Sequence, residues 1–264
     1  MEFDLHIHSK YSFDSISKPS KILKIAKKRN LNGIAITDHN TIRGAIEAKH
    51  ILKNNKENNF FVIIGTEIGT DRGDILGLFI EEEIKSRSTL EVIDEIKHKG
   101  GLAILPHPYK RTGHIIEEII TRVDAIEGFN ARGEQRSCQS RNKLALNLAK
   151  AANKPLTAGS DAHFYFEIGR GRCITDDVSD VEGIRKMILE GKTKVTGFSS
   201  SLYVEPLSQV IRMIKLRRYD LFYEISRQVR AITLFQARKF LIERYKNESV
   251  EGNNTITEEC REYP

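Results

Sequence analysis

Several short apolar stretches of this chain end in residues that can ligate metal ions or transfer protons. His6 and His8 alternate with Leu5 and Ile7, so both imidazoles project from the same face of a strand. Five of the eight histidines follow such stretches. The full set of polar residues in these places is His6, His8, Asp14, Asp38, His39, Glu67, His107, Asn130, Asp161 and His163.

A group of this size and type predicts a centre for divalent ions. A single histidine, or one His-x-His pair, is more often a packing or surface residue, but five at strand ends are not explained that way. Burying so many ionisable groups together costs several kcal/mol each unless cations pair with them. Nitrogen and oxygen ligands in this mixture suit zinc, manganese or iron and exclude a thiolate-specific site.

The elements that would position these residues are strands alternating with helices. This order is typical of parallel strands joined by crossover helices, and the repeats at this spacing favour a closed barrel, in which the carboxyl ends of the strands share one mouth. No glycine-rich fingerprint follows the first strand, which disfavours a doubly wound nucleotide-binding sheet. The strands are predicted at 3–7, 33–36, 60–64, 74–80, 102–105, 125–129 and 155–158, and the helices at 21–30, 41–54, 89–99 and 142–152.

Five motifs in order resemble those of a known family. They are Asp-Leu-His-Ile-His-Ser at 4–9, Ile-Thr-Asp-His-Asn-Thr at 36–41, Gly-Thr-Glu-Ile at 65–68, Pro-His-Pro-Tyr at 106–109 and Gly-Ser-Asp-Ala-His at 159–163. Together they look like the motifs of the PHP (polymerase and histidinol phosphatase) family, and the resemblance covers roughly residues 1–200. It implies an α/β fold, a distorted seven-stranded TIM-like (β/α) barrel, with two or three divalent ions at its mouth.

The resemblance also implies which residues hold each ion. Glu67 would bridge the first and second ions, and Asp38 would orient a neighbouring ligand. The family often has His or Cys where this chain has Asn130, which predicts a weaker or more exposed second ion. The implied ligands are His6, His8, Glu67 and Asp161 for the first ion, Glu67, His107 and Asn130 for the second, and Asp14, His39 and His163 for the third.

Such a centre predicts hydrolysis of phosphate esters by a metal-bound hydroxide. Asp161 is the candidate proton acceptor, and Arg132, Arg141 and Arg170 are candidate phosphate-binding residues because the guanidinium fork matches phosphate geometry. The expected substrate is a nucleotide, an oligoribonucleotide end or a small phosphorylated metabolite. The alternative is a non-catalytic, metal-stabilised domain within a replication or RNA-processing complex, which loss of metal ligands would favour.

Charge and apolar patterning divide the chain into three parts. Residues 1–200 form the predicted barrel, and 201–246 form a basic amphipathic helical extension in which 203–246 hold ten Lys/Arg against four Asp/Glu. Residues 247–264 are polar and acidic and are expected to be disordered. The three scattered cysteines, the lack of a signal peptide and the lack of a long apolar run predict a cytoplasmic protein with free thiols and no membrane association.

Overall fold

The computed structural model describes residues 1–56, 59–110, 117–133 and 140–249, with the backbone alone for 239–249. The strands are β1 (Glu2–Ile7), β2 (Gly33–Ile36), β3 (Phe61–Thr70), β4 (Gly73–Leu78), β5 (Leu102–Leu105), β6 (Ala125–Asn130), β7 (Leu156–Gly159), β8 (Gly171–Ile174) and β9 (Lys194–Gly197). The helices are α1 (Pro19–Lys28), α2 (Arg43–Asn54), α3 (Thr89–His98), α4 (Glu117–Arg122), α5 (Arg141–Ala151), α6 (Val181–Leu189), α7 (Val204–Leu216) and α8 (Leu221–Ser249).

The strands form one nearly closed, barrel-like sheet. Strands β1 to β7 are neighbours in chain order, and the β8–β9 hairpin continues the sheet beyond β1. A parallel bridge between Ile7 and Ala162 brings the end of β1 next to the segment that follows β7. The pairs β1–β2, β2–β3, β5–β6 and β6–β7 are parallel, so their carboxyl ends meet at the same mouth. This confirms the predicted fold class.

The antiparallel β4 is the main distortion of the barrel. It pairs antiparallel with β3 on one side and with β5 on the other. Because β4 pairs along its whole length with the second half of β3, β3 continues to Thr70 instead of ending at the predicted residue 64. Glu67 therefore lies inside a strand, whereas the sequence placed it just beyond one.

Apolar faces of the helices cover the outside of the sheet. In α1, the apolar residues Ile22, Leu23 and Ala26 recur at helical spacing and are buried against the barrel. Pro19 begins this helix, where its missing N–H has no intrahelical partner to lose. The sequence placed the start two residues later, and it did not predict the short elements α4, α6, β8 and β9.

The C-terminal part of the described chain consists of helices α7 and α8, and fewer of its apolar residues are buried than the apolar pattern indicates. Ile225 and Ile232 on α8 are buried, whereas Ile214 and Phe235 are 61% and 42% exposed. The part boundaries at 200 and 246 stay predictions. Helix α8 reaches Ser249, and the rest of the predicted tail, 250–264, lies outside the described residues.

Two further expectations concern the cysteines and the membrane. Cys173 is a buried free thiol, while Cys138 and Cys260 lie outside the described residues. Among the residues that the structure describes, no helix combines the length and the apolar character that crossing a bilayer requires.

Candidate metal centre

The carboxyl ends of four strands bring the five predicted histidines to one mouth. His6 is the last residue but one of β1 and His8 is the first residue after it, and both side chains are fully buried. Their Nε2 atoms lie 3.8 and 3.4 Å from Asp161 Oδ1, which comes from the loop after β7. Residues far apart in the chain thus face one another across the end of the barrel.

Glu67 lies at the middle of the group. Its Oε1 is 2.8 Å from His107 Nε2 and 3.7 Å from His6 Nε2. Its Oε2 is 3.0 Å from His39 Nδ1 and 3.4 Å from His8 Nε2. The carboxylate therefore divides the site, with each oxygen facing a different pair of imidazoles.

Asp14 lies beside Glu67 and contacts two further imidazoles. Its Oδ2 is 3.3 Å from His39 Nε2 and 3.1 Å from His163 Nε2.

Two residues of the mouth adopt left-handed backbone conformations that non-glycine residues rarely use, His107 with φ 27° and Asp161 with φ 52°. Such strain is concentrated at functional sites in proteins.

The donor atoms fit divalent ions. His6 Nε2, His8 Nε2 and Asp14 Oδ1 are buried atoms without a hydrogen-bond partner in the described structure. A buried polar atom without a partner costs about 1–3 kcal/mol, so three in one mouth point to a group that binds there. Within the described residues, three sets of side chains place ligand atoms within 4.8 Å of one another: His8, His39 and His163; His6, His8 and Asp161; and His6, Glu67 and His107.

The charges of these residues are strongly coupled. Burial lowers the pKa of His39, but Asp14 and Glu67 outweigh it and raise that pKa to about 10. Burial raises the pKa of Asp161, but Lys110 and His6 outweigh it and hold that pKa well below its usual value. The carboxylates are thus ionised at neutral pH, as ligands for a cation must be.

A second layer of buried residues holds the imidazoles in place. Glu127 Oε1 is 3.0 Å from His6 Nδ1, and Glu127 Oε2 accepts the His107 backbone N–H at 2.8 Å. The Ser12 hydroxyl lies 3.0 Å from His8 Nδ1 and donates to Asp38 Oδ1 at 2.7 Å. The contacts at His6 Nδ1 and His8 Nδ1 leave the Nε2 atom of each ring facing the mouth.

Asn130 lies beside the cluster with its amide otherwise engaged. Its Nδ2 donates to Glu127 Oε2 at 2.9 Å and approaches Asp161 Oδ2 at 3.5 Å. Its Oδ1, the atom that could bind an ion, accepts the Arg132 backbone N–H at 2.9 Å. Asn130 as an ion ligand stays a prediction, and the structure shows it holding Glu127.

The three predicted phosphate-binding arginines have different surroundings. Arg132 is buried and forms a two-pronged ion pair with Glu167, at 2.8 and 2.6 Å. Arg141 lines the cavity at the mouth. Arg170 donates to the Ser199 carbonyl at 2.9 Å and does not line that cavity. Their roles stay predictions, and Arg141 has the position that suits a substrate best.

Lys110 is a cation that the sequence reasoning missed. Its Nζ lies 2.5 Å from Asp161 Oδ2, and its side chain is 22% exposed at the cavity wall. The cavity measures about 270 Å³, and Lys110, Arg132, Arg141 and Arg212 supply positive charge to its wall. The feature of the sequence that could have indicated Lys110 is its position three residues after the strand-end His107. For Glu127, the signal was a carboxylate within an apolar strand.

The family model for the PHP domain matches residues 4–170. This chain belongs to the PHP domain family. The PHP chain is 47% identical over 146 residues to an uncharacterised protein of Methanocaldococcus jannaschii, covering 50% of this chain and 82% of that protein. A second uncharacterised protein of the same organism is 35% identical over 181 residues, which is 64% of this chain and 68% of that protein.

Solved structures confirm that the PHP chain shares its fold with proteins of low sequence identity. One is a two-domain protein from Bacteroides vulgatus whose name includes a predicted PHP-like metal-dependent phosphoesterase, with TM-score 0.61, 17% identity and coverage of 79% of this chain and 69% of that one. Another is an amidohydrolase from Chromobacterium violaceum with bound sulfate, with TM-score 0.52, 16% identity and coverage of 73% and 97%. These similarities concern the fold and leave the reaction open.

Proposed function

We propose that this PHP protein hydrolyses phosphate esters with the help of two or three divalent ions held at the barrel mouth. The observation that carries the proposal is the set of partnerless ligand atoms, His6 Nε2, His8 Nε2 and Asp14 Oδ1, in a mouth that Lys110 also lines. Ligand atoms indicate cations, and the additional positive side chain indicates an anionic substrate.

The ligands of the proposed ions are those that the family resemblance implies, with Asn130 as the least supported. Divalent ions bound there lower the pKa of water and neutralise charge that develops on the phosphoryl oxygens. Asp161 accepts the proton of the attacking water, since its carboxylate is ionised and reaches the centre of the mouth. Manganese, zinc and iron all suit the nitrogen and oxygen donors.

The other charged residues bind and orient the ester. Lys110 moves from Asp161 Oδ2 to a phosphoryl oxygen when substrate enters, because both oxygens are anionic acceptors at the same wall. Arg141, the first residue of α5, contacts the phosphoryl group from its own part of the cavity wall. Arg132 is held by Glu167 and shapes the wall.

The size of the cavity supports a small substrate. Its volume of about 270 Å³ lies just below the usual range for ligand sites, which is about 300–1,000 Å³. A nucleotide, a small phosphorylated metabolite or the last nucleotide of an oligoribonucleotide suits this volume, with the remainder of a longer strand lying outside. The nearly complete ligand set and the positive side chains Lys110, Arg141 and Arg212 in the cavity lining favour catalysis over a metal-stabilised domain without activity.

Metal analysis combined with a substrate panel tests this function. Purified protein should contain divalent ions and should hydrolyse members of a panel of phosphomonoesters, phosphodiesters, bisphosphate nucleotides and short RNAs. Chelation should remove the activity, and manganese or zinc should restore it. Asp161→Asn should lower turnover at least about 100-fold without unfolding the protein, whereas exposed His50→Ala should have no effect. Full activity in protein shown to be metal-free would disprove the proposal, and bound metal without activity on any ester would support the non-catalytic alternative.

A further inference from the structure

The C-terminal helices supply one wall of the cavity, although they lie beyond the residues that the PHP model matches. Glu205, Gln209 and Arg212 of α7 and Gln228 of α8 line it together with the proposed metal ligands. These four residues, here called the helical wall, share one cavity with the proposed ligands. If the phosphoryl group lay at the ions, its leaving group would occupy the remainder of that cavity.

The helical wall is attached firmly to the barrel. Lys215 Nζ donates to the carbonyl oxygens of Lys10, Ser12 and Ser15 at 2.8, 2.5 and 3.0 Å, in the loop that also carries Asp14. Near the start of α7, the buried Arg132 donates to the Ser208 hydroxyl at 3.2 Å. These bonds give α7 a defined position relative to the ions, as a recognition element requires.

Gln228 occupies an unusual place on α8. Within residues 221–238, the side chains that are buried or half-buried are Leu221, Ile225, Gln228 and Ile232, and the others are exposed. Their spacing places these four on one face of the helix. Gln228 is the one polar residue of this inward face. A glutamine there is unfavourable for packing alone, because its amide must be desolvated.

Two polar atoms of the helical wall are buried without a partner in the described structure. They are Arg212 Nε, which is a donor, and Gln228 Oε1, which is an acceptor. The Arg212 guanidinium also lies 5.0 Å from the centre of the Phe13 ring, and that ring stacks on His39 with 4.5 Å between centroids. The Phe13 ring therefore lies between Arg212 and His39, a proposed metal ligand.

A ligand that satisfies both atoms must accept from one and donate to the other. A hydroxyl group does both, whereas a carboxylate only accepts and an ammonium group only donates. We propose, on the basis of the phosphoesterase function proposed above, that Arg212 and Gln228 bind the sugar hydroxyls of the leaving group. The helical wall then makes this enzyme selective for phosphates of ribose-like sugars, either free or within a nucleotide.

Ribose 5-phosphate, adenosine 5′-monophosphate and phenyl phosphate distinguish the possibilities. For each protein variant, the ratio of kcat/KM for a sugar-containing ester over that for phenyl phosphate measures selectivity. Gln228→Leu should lower this ratio about 3- to 10-fold and Arg212→Met about 10- to 100-fold, as expected for a neutral and a charged hydrogen bond. Arg227→Met, which removes an exposed charge outside the cavity, is the matched control and should keep the ratio of the unchanged protein. A loss with both sugar esters indicates recognition of the sugar, and a loss with the nucleotide alone indicates contacts to the base and overturns the proposal.

A binding measurement separates this inference from the function on which it rests. In the Asp161→Asn background with metal added, calorimetry compares ribose 5-phosphate with inorganic phosphate. Gln228→Leu should raise the dissociation constant for ribose 5-phosphate by a factor at least about three times larger than the factor for inorganic phosphate. If the protein with Asp161 intact hydrolyses no ester but this difference appears, the catalytic proposal fails and the recognition site stands. Equal effects on both ligands, or an unchanged selectivity ratio in an active enzyme, overturn the inference.

Discussion

Replacing Glu127 with glutamine should weaken ion binding, although Glu127 is not a proposed ligand. Its Oε1 is 3.0 Å from His6 Nδ1, while its Oε2 accepts two donors, the His107 N–H at 2.8 Å and Asn130 Nδ2 at 2.9 Å. A carboxylate can accept all three bonds, but a glutamine amide has only one oxygen. In Glu127→Gln the amide group can therefore adopt two orientations, and each leaves an unfavourable contact.

Both arrangements harm the centre, and their cost can be bounded. If the amide NH2 takes the Oε2 place, it faces two donors, and an unsatisfied buried donor costs about 1–3 kcal/mol. If the NH2 instead faces His6 Nδ1, the imidazole must carry its proton on Nε2, the atom that should bind an ion. Loss of such a supporting residue typically lowers metal affinity about 10- to 100-fold, or about 1.4–2.8 kcal/mol.

Competition with a chromophoric chelator at pH 7.5 measures the effect as the dissociation constant for zinc. Glu81→Gln is the control, because it makes the same chemical change at a side chain that is 84% exposed. The control should bind zinc like the unchanged protein. If Glu127→Gln also binds within twofold of the unchanged protein, Glu127 does not set the tautomer of His6 and the reasoning is wrong.

Three further predictions test the buried supports of the site. Glu167→Gln should lower the free energy of unfolding by about 3–5 kcal/mol in urea titrations, because it removes the nearer and fully buried of the two carboxylates that pair with the buried Arg132 charge, leaving only Glu205 at 3.5 Å. The double replacement of Arg132 and Glu167 by methionine should cost less than this single change, and the reverse order would contradict the argument. Gly44→Ala should destabilise by about 1–3 kcal/mol despite alanine's higher helix propensity, since the new Cβ would lie 2.0 Å from Asp38 Oδ2, so a higher melting temperature would refute it. Finally, the pKa of about 10 for His39 means that an ion must displace its proton, so zinc affinity should rise between pH 6.5 and 8.5 and binding should release protons to an indicator dye.

The PHP fold and the gathering of the strand-end histidines and carboxylates at one mouth could be predicted from local features of the sequence. Strand periodicity put His6 and His8 on one face, and the order of strands and helices implied a barrel whose strand ends meet. These features depend on neighbouring residues and on a topology that few folds share. The five motifs then identified the family, which the match over residues 4–170 confirmed.

The partners of the charged groups were decided by tertiary structure. Glu127 holds His6 across 121 residues of sequence, and no spacing rule indicates such a contact. Arg132 was predicted to bind phosphate, yet Glu167 lies against its guanidinium because the loop after β7 packs next to the loop after β6. A guanidinium pairs with whichever carboxylate packing brings nearest, and packing depends on the whole chain.

In the C-terminal helices, too, the sequence indicated the type of element and the packing decided which side chains are buried. Their helical nature followed from apolar periodicity, but many residues of that pattern are exposed, and Gln228 points inward between Ile225 and Ile232. Which face of a helix becomes buried depends on the surface it meets, here α7 and the cavity that Gln228 lines. The sequence by itself therefore determined most of the elements and the set of metal-ligating side-chain types at the strand ends, while long-range packing decided which side chains hold that set in place and which ones line the cavity.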